Sequence, residues 1–138
     1  MDTKIYERLI SLGYAIENEV GEGGDIIYHP TPTDLTLITV LKDKVVNAIK
    51  SDCNIDEIPT EIESLVIDNI VGEFLFNKKT MGTLVIDDMD LTDAVKSISE
   101  GDTTIQFAEG SSQSEQLDTF ISYLIRPIDL SDYRRIRW

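Results

Sequence analysis

PTEIESLVIDNIVGEFLFNKK, residues 59–79, is the stretch that decides the fold, because it predicts one long and almost entirely apolar helix. Pro59 suits a first helical turn, where its missing N–H would have no partner, and Lys78 and Lys79 suit the negative end of the helix dipole. Further apolar residues make the helix apolar on more than one face, so we expect the rest of the chain to wrap around it. The stripe predicted to form the core comprises Ile62, Leu65, Val66, Ile70 and Phe74.

Length and cysteine content narrow the class of protein. A chain of 138 residues predicts one domain that buries roughly two-thirds of the surface of its unfolded form. The single cysteine, Cys53, excludes an internal disulfide framework and a cysteine-based zinc site, which fits a reducing cytosol. Because the sequence shows no leading signal segment and no apolar run long enough to span a bilayer, we expect a soluble protein without membrane association.

The charge of the chain is strongly acidic and uneven. The formal net charge is -14, from 26 acidic and 12 basic residues. Binding to a phosphate backbone requires a footprint of lysine and arginine, so this balance argues against nucleic-acid binding. The last five residues, RRIRW, nevertheless carry three arginines. We therefore expect a cationic tip on an anionic body.

Apolar spacing predicts two helices before the central one. The first covers residues 3–12 and ends at Gly13, and the second covers residues 34–51, with Thr33 or Asp34 as its cap. Residues 14–32 contain glycines and prolines and predict either a loop or a loose hairpin. The short connection SDCNIDEI is expected to pack the second helix against the central one. The apolar positions that recur at helical spacing in the second helix are Leu37, Ile38, Leu41, Val45, Ala48 and Ile49.

After the central helix, the spacing of apolar residues changes from the helical repeat to the alternation that is typical of strands. Residues 94–108 alternate and predict a β-hairpin, residues 113–125 predict a further helix that Pro127 ends, and residues 127–138 predict an extended tail. The predicted fold is mainly α, of the α+β class. It is a small bundle of about four helices around a central apolar helix, with one β-hairpin and an extended C-terminal tail.

A metal site is suggested only by a broken motif. Asp52, Asn54, Asp56 and Glu63 copy the ligand spacing of a calcium-binding EF-hand loop, but Glu57 occupies the position that requires glycine. A solvated turn between two helices is the preferred interpretation. No metal and no other cofactor is predicted.

Residues for catalysis are few. His29 is the only histidine, and Cys53 fits a small helix-end residue better than a nucleophile. The glycines at 21, 23 and 24 lack the lysine and the strand-to-helix context of a phosphate loop. No enzyme is predicted, although a hydrolase of unrecognised type stays a minor alternative.

The end of the chain is the best candidate for binding. It combines residue types that are enriched in binding hot spots on a segment with too few apolar residues to fold alone. A frayed terminus is the competing interpretation. The predicted docking tail comprises Tyr133, Arg134, Arg135, Ile136, Arg137 and Trp138.

Several strings, taken in order, look like one family. They resemble head-tail connector, or adaptor, proteins of tailed phages and prophages, especially those of Firmicutes, and span nearly the whole chain. The stretch VGEGGDIIYHPTP departs from the family by being longer than its counterpart. The resembling strings are RLISLGY (8–14), VVNAIKSDCN (45–54), IP followed by GEFLFNKK (58–59 and 72–79), AVKSISEGDTTIQFA (94–108) and YRRIRW (133–138).

The resemblance implies a virion protein of the phage neck. Such subunits form a ring, typically dodecameric, between the portal and a neck, stopper or tail-completion protein, and the ring extends the channel through which DNA passes without specific binding. The protein would be present in the host cytoplasm during assembly. The tail would dock onto the portal. The predicted hairpin would reach a neighbouring subunit or the channel through Ser97, Ser99, Glu100, Gly101, Asp102, Thr103 and Thr104.

Two further interpretations stay open. A small acidic regulatory module of a prophage cluster, acting on a basic partner, would share the same composition. A headless, tail-derived particle would retain a connector as a collar piece, and the sequence does not separate that case from an intact phage.

Overall fold

The computed structural model describes residues 2–82, 113–126, 128 and 130. In this part of the chain there are four α-helices and one antiparallel hairpin, so the mainly helical α+β class is confirmed. The helices are α1 (Asp2–Ser11), α2 (Pro32–Cys53), α3 (Glu63–Thr80) and α4 (Gln113–Leu124), and strands β1 (Glu17–Val20) and β2 (Ile26–His29) lie between α1 and α2.

Helix α3 is the centre of the bundle and packs against α1, α2 and α4. Its apolar residues are buried on more than one side, as a helix without a polar face requires. Leu65 is the exception in the predicted stripe, because it lies at the margin of the buried surface and is only half-buried. The other predicted core residues, Ile62, Val66, Ile70 and Phe74, are buried together with Ile67, Val71 and Leu75.

The first turn of the central segment differs from the prediction of one helix from Pro59. Pro59 is extended (φ -59°, ψ 139°), and its carbonyl accepts a hydrogen bond from the N–H of Ile62 at 3.2 Å. That bond spans three residues, so the turn Thr60–Ile62 is a 3-10 helix and α3 begins at Glu63.

Helix α2 begins earlier than predicted. Its cap is Thr31, whose Oγ1 accepts a hydrogen bond from the N–H of Asp34 at 3.2 Å, so the prediction of Thr33 or Asp34 as the cap is wrong. The physical reason is Pro32, which occupies the first turn and leaves the capping position to the residue before it. The helix continues past residue 51 to Cys53, and Asn54 ends it in the left-handed conformation (φ 55°). Ala48, predicted to pack inward, is exposed.

The loop or hairpin predicted for residues 14–32 is a hairpin. Strand β1 pairs with β2 so that Val20 lies opposite Ile26 and Asn18 lies opposite Tyr28. The ring of Tyr28 packs on Tyr6 of α1, with 5.5 Å between the ring centroids. The second predicted hairpin, at 94–108, lies outside the described residues.

The two outer helices bury the faces that their spacing predicts. In the α1 segment the buried residues are Ile5, Tyr6, Leu9 and Leu12, and in α4 they are Leu117, Phe120, Ile121 and Leu124. Ile125, which the spacing predicts on the same face, is 39% exposed because it follows the last turn of α4. Helix α4 crosses α3 closely at Gly72, where a Cβ would lie 2.6 Å from Ile125 Cγ2 and 2.8 Å from Leu124 Cβ. None of the helices in the described residues is long and apolar enough to cross a membrane.

Candidate functional site

The residues predicted to bind partners fall outside the described part of the chain. This holds for the docking tail, 133–138, and for the hairpin residues 97 and 99–104. The start of the predicted tail is partly described, since Ile128 and Leu130 are half-buried against the core. The first residues after α4 are therefore held on the body of the protein.

A buried ion pair joins the two long helices. Lys78 Nζ, at the end of α3, donates a hydrogen bond to Asp34 Oδ1, at the start of α2, over 2.9 Å. Both residues are buried. Each charge also suits the helix end on which it lies, since acids stabilise helix N-termini and bases stabilise C-termini. The pair ties the start of α2 to the end of α3, and Lys44 of α2 pairs with Glu73 of α3 at the surface over 3.1 Å.

Tyr14 completes this buried network from the start of the hairpin segment. Its hydroxyl donates to Asp34 Oδ2 over 2.5 Å, and its ring meets Phe74 edge-on at a centroid distance of 5.2 Å. The pKa of the Tyr14 hydroxyl is raised well above its ordinary value. Burial is the larger cause, and the hydrogen bond to the Asp34 carboxylate is the second. Tyr14 therefore stays neutral at physiological pH and acts as a hydrogen-bond donor.

A second charged cluster surrounds Asp68 of α3. Arg8 Nε of α1 lies 3.3 Å from Asp68 Oδ1 without hydrogen-bond geometry, and an Arg126 terminal nitrogen lies 3.8 Å from Oδ2. Burial raises the pKa of the Asp68 carboxyl, and the two arginines partly oppose that rise. The cluster ties α1 and the end of α4 to the central helix.

Arg126 is held by three further contacts. Its guanidinium lies 4.2 Å from the centre of the Tyr123 ring and donates to the Tyr123 carbonyl over 3.0 Å. Asn69 Nδ2 donates to the Arg126 carbonyl over 3.4 Å. These contacts fix the direction in which the chain leaves α4, immediately before Pro127.

An apolar groove opens beside the first half of α2. It has a volume of about 510 Å³ and is called the α2 groove below. Val40 is 58% exposed and Met81 is 54% exposed, although both side chains are large and apolar. The groove is lined by Pro32, Thr33, Thr36, Leu37, Val40 and Met81.

The hairpin carries a second exposed apolar surface. Paired residues of antiparallel strands share a face, so Val20 and Ile26 lie on the same face as Tyr28. Tyr28 packs on α1, whereas Val20 is 72% exposed and Ile26 is 52% exposed. Val20 and Ile26 are called the hairpin face below.

The weaker sequence candidates do not assemble into a reactive site. In the described residues no group of three or more His, Cys, Asp or Glu side chains could hold a metal ion. Glu63, the last position of the EF-hand-like spacing, accepts a hydrogen bond from Lys4 over 2.7 Å, and this bond holds the pKa of Glu63 below its ordinary value. Cys53 is buried, and His29 pairs with Glu19 over 2.9 Å.

Sequence reasoning missed both charged clusters. Lys78 follows Phe74 by four positions and so continues the buried stripe, which was the available signal that its ammonium group is buried. A buried lysine requires a carboxylate partner, but the pattern does not identify Asp34 among 26 acids. Asp68 interrupts the apolar stretch of α3 and was the corresponding signal for the second cluster.

Comparisons with protein-family models, curated proteins and solved structures find no match to this chain. The resemblance to phage connectors therefore stays a prediction from the quoted strings.

Proposed function

We propose that this protein is a head-tail connector of a tailed phage or prophage, a structural subunit that forms a ring between the portal and the next component of the neck or tail. The observation that carries the proposal is the order of the resembling strings along nearly the whole chain. The ring would extend the DNA channel, and the protein would act as a structural part without catalysis.

The described strings include residues on which the fold depends. The first string ends at Gly13, which has a positive φ of 92°, and at Tyr14 of the buried network. The second ends at the left-handed Asn54, and the GEFLFNKK string contains Gly72 and Lys78.

The charge distribution suits a conduit for DNA. A wall with excess negative charge repels phosphates and lets DNA slide without sticking. The net charge of -14 supplies this repulsion, whereas the three arginines of RRIRW are concentrated at the tail. That tail follows a segment held on the body by Arg126, Ile128 and Leu130, so a fixed base would present a cationic and aromatic docking peptide.

Mixing the purified chain with the portal encoded in the same gene cluster tests the proposal. We expect the chain to bind the portal and to add a ring that is detected as a discrete increase in particle mass. Unassembled connectors need not form rings alone, so the portal must be present as the template. Absence of association well above micromolar concentration would favour the acidic regulatory module, which would instead bind a basic partner as a monomer.

A further inference from the structure

We draw no further inference here: the strongest candidate, the apolar α2 groove between the first half of α2 and Met81 at the end of α3, carries no proposal because nothing in the described residues shows what covers it.

Discussion

Lys78 Nζ and Asp34 Oδ1 lie 2.9 Å apart in the interior of the protein, with Asp34 at the start of α2 and Lys78 at the end of α3. Their side chains are 10% and 6% exposed. Water is largely excluded, so the Asp34 carboxylate depends on the Lys78 ammonium group and on the Tyr14 hydroxyl for compensation. This pair therefore ties the start of α2 to the end of α3 through the interior of the protein.

Lys78→Met should destabilise the protein strongly, because it leaves the Asp34 carboxylate buried without its cation. We expect the free energy of unfolding to fall by about 3–5 kcal/mol, measured by urea denaturation. Lys79→Met is the matched control, since Lys79 pairs with the exposed Asp118 at the surface. That variant should lose no more than about 1 kcal/mol. Equal losses for the two lysines would contradict the buried role of Lys78.

Gly72→Ala should also destabilise the protein, although alanine favours helices by about 1 kcal/mol over glycine. The added Cβ would lie 2.6 Å from Ile125 Cγ2 and would push α4 away from α3. We expect a net loss of about 1–3 kcal/mol in the free energy of unfolding. Ser64→Ala, at an exposed position of the same helix, is the control and should change stability little. A more stable Gly72→Ala variant would show that the helices do not approach as closely as described.

Asp68 and Glu63 should give opposite pH dependences. Burial raises the pKa of Asp68 above 3.8, so the folded protein binds its proton more tightly than the unfolded chain does. Its contribution to stability is greatest below pH 3.8 and is lost as the pH rises through the raised pKa. The hydrogen bond from Lys4 lowers the pKa of Glu63 below 4.5, so its small contribution is present above pH 4.5 and is lost as the pH falls.

Differences between the wild type and neutral variants measure these two effects without the background of the other acids. Relative to Asp68→Asn, the wild type should lose stability as the pH rises from 3.8 through the raised pKa of Asp68. Relative to Glu63→Gln, the wild type should gain stability as the pH rises through the lowered pKa of Glu63 to 4.5. Slopes of the same sign would contradict the environments described for the two carboxyls.

Reversing the charge at the tip of the hairpin predicted for residues 94–108 tests whether this hairpin takes part in ring assembly. Glu100→Lys combined with Asp102→Lys should reduce ring formation on the portal, because the tip is predicted to reach a neighbouring subunit or the channel. Native mass measurement of the portal complex gives the number of bound copies. The thermal unfolding midpoint of the free chain, measured in parallel, checks that the fold is retained. A ring with the full number of copies would exclude the tip from subunit contact.

The sequence predicts most of this fold because helical spacing and helix ends depend on neighbouring residues. The core positions of α1, α3 and α4 follow from apolar periodicity, and Pro127 marks the end of α4. Boundaries are less predictable where two signals compete. At the start of α2, Thr31 and Pro32 together outweigh Thr33 and Asp34, and Pro59 begins a 3-10 turn rather than a full helix.

The charged clusters are less predictable because they join residues far apart in the chain. Asp34 and Lys78 are 44 positions apart, and only the antiparallel packing of α2 and α3 brings them together. The exposed hairpin face depends in the same way on how far the hairpin extends past α1. The docking tail and the second hairpin stay predictions from sequence, since they lie outside the described residues.

Electron microscopy of the portal, after addition of the wild-type chain or of a variant that lacks residues 133–138, tests the connector function most directly. We expect a stacked ring on the portal with the wild type. We expect no added ring with the truncated variant, whose circular dichroism and thermal unfolding should match those of the wild type. A bare portal in the presence of excess wild-type chain would contradict the connector function, and a ring formed by the truncated variant would contradict the docking role of the tail.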